Sequence, residues 1–241
     1  MLNLIGIGLN DEKDITLKGL ELVQSSDYVY LENYTSTLQV PIESLEKLYN
    51  KKIILAEREF VEDGSVIIDQ STTKNVSVLI IGDVFSATTH ISLYLQALEN
   101  NIKVNIINNA SVLTAVGITG LELYKFGKTT SIPFHDSKTP MEVIQNNYPL
   151  HTLCLLDLVP KEKKFMESSE ALEKLFQLGL KKETKVIVCA QLGSKTPTII
   201  YTEAENIKPL NKFPQCIIIP GELHFMEEEM IERYKVSLTN K

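Results

Sequence analysis

Val76-Ser77-Val78-Leu79-Ile80-Ile81-Gly82-Asp83-Val84-Phe85-Ser86-Ala87-Thr88-Thr89-His90 passes from a short apolar run into glycine, aspartate and a cluster of hydroxyl residues, and a helix-like stretch follows from Ile91 to Asn101. A brief apolar run closed by a turn from which a helix departs is the building unit of parallel sheets. In open α/β sheets ligands bind beyond the carboxyl ends of the strands, so this turn is a candidate ligand loop. Glycine admits close backbone approach, aspartate offers a carboxylate, and the Ser/Thr cluster supplies hydroxyls and a helix cap. The same residues also suit a turn that does no more than cap its helix.

Outward from this loop, the first half of the chain alternates strand and helix signals. Strands are expected at Leu2–Ile7, Tyr28–Leu31, Lys52–Ala56, Val76–Ile81 and Lys103–Ile107. Helices are expected at Thr16–Ser25, Pro41–Tyr49, within Glu59–Thr73, and at Ile91–Asn101. Repeated βα units predict a parallel sheet covered on both faces, with right-handed crossovers. After Ala110 the alternation weakens. A short helix at Ser111–Leu121, strands at Thr129–Pro133, Thr152–Asp157, Lys185–Ala190, Thr198–Thr202 and Cys216–Pro220, and helices near Ser168–Leu178 and Glu222–Tyr234 predict a second, mixed sheet. The expected domains are 1–109 and 110–241.

With 241 residues and 44% hydrophobic content the chain has ample material for its cores. Cys154, Cys189 and Cys216 each sit in an apolar, strand-like run. An odd count without paired spacing argues against disulfides or zinc and for a reducing, cytoplasmic setting. The net charge of −7, with both signs interleaved, argues against direct nucleic-acid binding. No apolar run approaches the ~18 residues of a membrane span, and no basic leader opens the chain. The acidic residues Glu222, Glu227, Glu228, Glu229 and Glu232 read as a solvated helix face in preference to a docking surface for a basic partner. Lys161–Lys164 reads as a charged connector.

The motifs exclude more than they specify. Leu4-Ile5-Gly6-Ile7-Gly8 ends a strand in Gly-x-Gly but lacks the third glycine of a dinucleotide fingerprint, so it is either a tight turn or a glycine floor beneath a nucleoside. His90, His135, His151 and His224 fall in separate segments, without zinc-helix spacing, and neither a Gly-x-Ser-x-Gly elbow nor a P-loop is present. Without an evident nucleophile, the residues point to a reaction in which positioning dominates and a cofactor carries the reactive group.

Taken in order, Leu4–Asn10, Asp14-Ile15-Thr16, Glu32-Asn33-Tyr34-Thr35-Ser36, Gly82–His90, Asn109-Ala110-Ser111, Ala115–Gly120, Leu123-Tyr124-Lys125-Phe126-Gly127, His151–Asp157 and Pro220-Gly221 resemble the diphthine synthases of the tetrapyrrole-methylase-like superfamily. The resemblance implies an α/β fold of two domains, an N-terminal parallel sheet and a C-terminal mixed sheet with a cofactor cleft between them, in a homodimer. It implies S-adenosyl-L-methionine as cofactor, S-adenosyl-L-homocysteine as product, and no metal. The implied substrate is the aminocarboxypropyl-modified histidine of translation elongation factor 2, with no membrane or nucleic-acid partner. Carried over by motif, the cofactor contacts are Leu9, Asp83, Ser86, Ser111, Val112, Leu156, Leu192 and Gln215, and no general base is named. Val84 stands where the family usually has proline, and Gln191 where arginine is common. The segment Phe134–Leu150 is short and lacks aromatic residues often found there. Two other readings stay open: a methylase of the same superfamily acting on a precorrin or uroporphyrinogen, and a non-catalytic nucleotide-binding module that docks on a translation factor.

Overall fold

The computed structural model describes residues 1–86 and 90–235, which fall into two compact units that meet in sequence between Val112 and Leu113. Ala87, Thr88 and Thr89, markers of the family resemblance, lie outside the described residues. In the first unit the order is β1 (Leu2–Gly6), α1 (Leu17–Ser25), β2 (Tyr28–Glu32), α2 (Ile42–Tyr49), β3 (Ile54–Ala56), α3 (Arg58–Asp63), α4 (Ser65–Thr73), β4 (Val76–Ile80), α5 (His90–Glu99) and β5 (Val104–Ile107). The helix expected within Glu59–Thr73 is two helices, broken at Gly64.

The five strands form one all-parallel sheet in the order β3-β2-β4-β1-β5. Its side chains divide with the period of two that a pleated strand imposes. Leu2, Leu4, Tyr30, Val76, Val78 and Ile80 pack with Val61, Ile67 and Leu93 of α3, α4 and α5. Ile5, Ile7, Val29, Leu31 and Leu79 pack with Val23, Leu45 and Tyr49 of α1 and α2. Both faces are covered, which is why these strands read as continuous apolar runs. Thr16 caps α1 by accepting the Gly19 amide at 3.1 Å.

From the unit boundary the chain continues through α6 (Val112–Ala115), which passes into a 3-10 turn (Val116–Thr119) instead of the single helix expected over Ser111–Leu121. Then come β6 (Thr130–Ile132), α7 (Thr139–Asn147), β7 (Thr152–Leu156), β8 (Leu158–Val159), β9 (Lys164–Phe165), α8 (Ser168–Gln177), β10 (Lys185–Ala190), β11 (Thr198–Glu203), β12 (Gln215–Ile219) and α9 (Phe225–Ile231). The sheet order is β11-β10-β12-β7-β6, antiparallel except for β6 and β7, so it is mixed as expected. The helix α7 was not foreseen, and the connector Lys161–Lys164 closes a small hairpin of β8 and β9. Cys154, Cys189 and Cys216 are free and buried in β7, β10 and β12.

One expectation about the acidic tail is corrected. Glu227 is fully buried, and it organises three segments of the second unit. Its carboxylate accepts the Glu122 amide at 2.8 Å, the His224 amide at 2.7 Å, the Lys125 ammonium at 2.5 Å and His151 Nε2 at 3.0 Å. Gly221 donates its amide to His151 Nδ1 at 2.9 Å, which assigns the ring proton to Nε2. Burial pushes the Glu227 carboxyl up, yet these four donors outweigh it and hold the group at about 2. A run of glutamates cannot reveal which member turns inward, because helix periodicity operates only once the helix start is known. That start is His224, not Glu222.

Glu227→Gln leaves charge-assisted donors facing a poorer acceptor and should cost roughly 1–3 kcal/mol at neutral pH. A depressed carboxyl stabilises fully above its unfolded value of 4.5 and loses that contribution as the pH falls toward 2. Urea unfolding at several pH values should therefore show the gap between wild type and variant closing under acid. A gap that persists unchanged at pH 2 would refute the assignment.

Candidate functional site

The order β3-β2-β4-β1-β5 has a consequence for ligand binding. From β1 the chain crosses over β4 to β2, and from β4 it crosses over β1 to β5 on the other face. The two crossovers diverge at the carboxyl ends of β1 and β4, which is the switch point where α/β sheets bind ligands. Both Gly-x-Gly and Gly82-Asp83 lie there.

Beyond the last parallel pair, Gly6 with Ile80, the strands turn and meet again. Gly82 donates its amide to Gly8 O at 2.7 Å, and Gly8 donates to Gly82 O at 3.3 Å. The approach leaves no room for a side chain at Gly6, where a Cβ would lie 2.7 Å from Gly82 O. Gly82 itself has φ +90°, a conformation that other residues adopt only under strain. Among the described residues, the atoms nearest a Cβ there would be Leu9 Cδ2 at 3.8 Å and Ala110 O and Ser111 Cα at 3.9 Å. Gly82 thus faces a cradle walled by Leu9, Ala110 and Ser111.

Around the cradle, polar side chains bind the loops to one another. Asp83 Oδ1 accepts the Phe85 amide at 3.2 Å, and Oδ2 accepts the Asn109 amide at 2.9 Å and Asn108 Nδ2 at 3.0 Å. Burial acts to raise the Asp83 carboxyl, but these donors hold it below the usual aspartate range. Asn109 Nδ2 donates in turn to Gly6 O at 3.0 Å and Asp14 O at 2.9 Å. Asp14 Oδ2 accepts the amides of Leu9 at 3.2 Å and Asn10 at 2.8 Å. Asn109 therefore joins the turns after β1, β4 and β5. Its position in the Asn109-Ala110-Ser111 block was the only sequence signal of this role.

Of the residues expected at the site, Leu9, Asp83, Ser86, Ser111 and Val112 belong to the first unit. Leu9 and Ser111 wall the cradle, Asp83 ties its loops, Ser86 donates its amide to Asp83 O at 3.3 Å, and Val112 begins α6. Leu156, Leu192 and Gln215 belong to the second unit, where the sheet brings them to one edge. Gln215 begins β12 beside Ala190 at the end of β10, and Leu156 ends β7 directly across from it by the same antiparallel register. Leu192 follows β10, and all three are nearly buried. Gln215 Oε1 accepts the Ser168 amide at 2.9 Å and Nε2 donates to Glu167 Oε2 at 2.9 Å. Gln191 adopts φ 53° and donates its side chain to Phe213 O, while Val84 is fully buried in the core beneath its loop.

A second polar group lies at the same edge of the first sheet, on β2. Glu32 and His90 are both fully buried, with Glu32 Oε2 3.9 Å from His90 Nε2. Glu32 Oε1 accepts the Thr35 hydroxyl, and the backbone amides of Ile81 and Thr35 face the carboxylate. Arg58 stands 5.1 Å over the Tyr34 ring, whose centroid is 6.4 Å from that of His90. Burial dominates these contacts and pushes the Glu32 carboxyl up to about 7. The pairing of the two was not foreseen from sequence, since burial is not legible from a residue type alone. Among the described residues no cluster of three or more His, Cys, Asp or Glu is placed to hold a metal ion, and no helix is long and apolar enough to cross a membrane.

This geometry has close relatives. Residues 1–208 match the family model described as Tetrapyrrole (Corrin/Porphyrin) Methylases. The diphthine synthase of Methanocaldococcus jannaschii is 42% identical over 96% of this chain and 98% of its own. The protein named as probable diphthine methyl ester synthase in Arabidopsis thaliana is 40% identical over the full length of both. A crystal structure of diphthine synthase superposes with a TM-score of 0.92 at 36% identity, covering 97% of this chain and 95% of the other. A switch-point cradle of glycines on a parallel sheet, a mixed second sheet and these full-length identities lead to one conclusion: the chain belongs to the tetrapyrrole methylase family, within its diphthine synthase branch.

Proposed function

We propose that this protein is an S-adenosylmethionine-dependent methyltransferase that methylates the aminocarboxypropyl-modified histidine of translation elongation factor 2 in diphthamide biosynthesis. The observation that carries the reading is the Gly82 cradle at a switch point, in a chain about 40% identical over its whole length to diphthine synthases. The residues present fit such a cofactor. In the first unit Leu9 and Val112 offer apolar surface for a purine. Ser86, Ser111 and backbone amides of the same unit offer hydrogen bonds for its ribose and amino-acid ends. The same reading makes the protein a cytoplasmic homodimer that needs neither metal, membrane nor nucleic acid.

When bound, S-adenosylmethionine supplies a sulfonium-activated methyl group, so the chain need provide no nucleophile of its own. What remains for the protein is alignment and an unprotonated amine. The first unit meets the demand for alignment with backbone: the Gly8–Gly82 bridge and the Asn109 amide fix the loops on which Leu9 and Ser111 stand. Asp83 serves this scaffold chiefly through its bonds to Phe85, Asn108 and Asn109.

Three outcomes test this reading. Gly82→Ala places a methyl group inside the cradle and adds about 1 kcal/mol of backbone strain; it should fold with a slightly lowered unfolding midpoint and lose at least tenfold in cofactor affinity by calorimetry. Asp83→Asn turns an amide donor toward the Asn108 or Asn109 donors and should weaken cofactor binding on the order of tenfold, or about 1.4 kcal/mol; unchanged affinity in a folded variant removes Asp83 from the site. Mass spectrometry of aminocarboxypropyl-histidine elongation factor 2, after incubation with this protein and S-adenosylmethionine, should show methyl-sized increments together with S-adenosylhomocysteine. Loss of one increment in mild base identifies an ester. Absence of both products with a competent elongation factor sinks the enzymatic reading.

A further inference from the structure

Glu227 ties together three segments of the second unit, and each of them carries two large apolar side chains into solvent. The Glu122 amide and the Lys125 ammonium reach its carboxylate from either side of Leu123 and Tyr124, both exposed. His151 reaches it just after Tyr148 and Leu150, and the His224 amide just before Phe225 and Met226, all four exposed. Tyr124 is 80% exposed, and Tyr148 and Phe225 are each 66% exposed. The segments are also joined directly. Glu222 donates its amide to Pro149 O at 2.9 Å, its carbonyl accepts the Lys125 ammonium at 2.8 Å, and its carboxylate accepts the Tyr148 hydroxyl at 3.3 Å.

A buried ion pair often stabilises no more than the apolar residues that could replace it, so the distinctive effect of the Glu227 network is to fix where these segments sit. What it fixes is a set of side chains, tyrosine, phenylalanine and methionine, of the types enriched at protein interfaces. Their surroundings are acidic: Glu222, Glu228 and Glu229 are exposed in the same segments, Lys128 is exposed beside them, and Lys125 is paired with Glu227. We propose that this face docks a partner protein that presents an apolar centre within a basic rim. The choice of partner follows from charge. A second copy seated here about a two-fold axis would set the three glutamates against their own counterparts, whereas lysines and arginines of a different protein complement them. On the methyltransferase reading, on which the partner's identity rests, that protein is the elongation factor carrying the modified histidine.

Steady-state methylation and direct binding, with the full chain and aminocarboxypropyl-histidine elongation factor 2, test the face. The double variant Tyr124→Ala/Phe225→Ala truncates two exposed side chains and leaves the Glu227 bonds in place. It should raise KM for the factor roughly tenfold, while kcat and the calorimetric affinity for S-adenosylmethionine keep their wild-type values. Glu228→Lys/Glu229→Lys should slow association with the factor about tenfold at low salt and by less as salt screens the rim. Glu173→Lys, the same reversal on α8 outside these segments, should leave association unchanged. An unchanged KM in the Ala variant overturns the proposal. So does sedimentation velocity in which wild type is a dimer and the Ala variant a monomer, since the face then belongs to a second copy. A wild type that yields no S-adenosylhomocysteine with a competent factor defeats the methyltransferase reading, and calorimetric titration of the factor still decides the docking face. A complex weakened about tenfold in the Ala variant supports it; equal binding by both proteins, or no binding by wild type, overturns it.

Discussion

Two hydrogen bonds between Gly8 and Gly82 set the geometry of the candidate site. Parallel strands normally diverge into their helices at the carboxyl edge. Here β1 and β4 meet once more beyond the sheet, which fixes the starting points of Leu9 and Asp83. The approach is so close that Gly6 admits no Cβ, and it forces Gly82 to a positive φ. Everything assigned to the first unit's part of the site then follows by connection. Asp83 reaches the turn after β5, Asn109 reaches back to Gly6 and Asp14, and Asp14 holds the amides of Leu9 and Asn10.

Three acidic residues show how context divides one functional group among different tasks. Asp83 and Glu227 are surrounded by donors that outweigh the cost of burial, and both carboxyls are held low. Glu32 is just as deeply buried as Glu227, yet among the described residues one of its oxygens has no hydrogen-bond partner, and its carboxyl is held high. The first pattern ties segments together over the neutral pH range. The second leaves the loss of hydration largely uncompensated, which is what raises the carboxyl.

Much of the first unit was legible because its physics is local. Apolar runs such as Val76–Ile80, covered on both faces, and turns bearing glycine announce themselves in order along the chain. Expected and observed strands there differ by a residue or two at their ends. The second unit was less open to reading: α7 went unseen, since Thr139–Asn147 has little apolar content, and Glu227 was placed in solvent because its partners Glu122, Lys125 and His151 lie far away in sequence. Leu9, Leu156 and Leu192 were expected as cofactor contacts by resemblance alone, as an apolar side chain at the end of a strand has no chemistry to betray it. Asn109 and Glu32 were missed for a different reason. Their importance lies in which distant backbone groups they reach, and only the sheet order β2-β4-β1-β5 brings those groups within range.

The occupied state of Asp83 bears on how this site could be addressed by a synthetic inhibitor. A solitary carboxylate invites a basic amine or guanidine as an anchor, and a compound series would ordinarily be built out from that contact. Here the anions' lone pairs are already engaged by Phe85, Asn108 and Asn109, so a cationic anchor would have to compete with the scaffold that shapes the pocket wall. Contact with Leu9 and Ser111 beside Gly82, made by a neutral and compact group, would leave each of those hydrogen bonds in place.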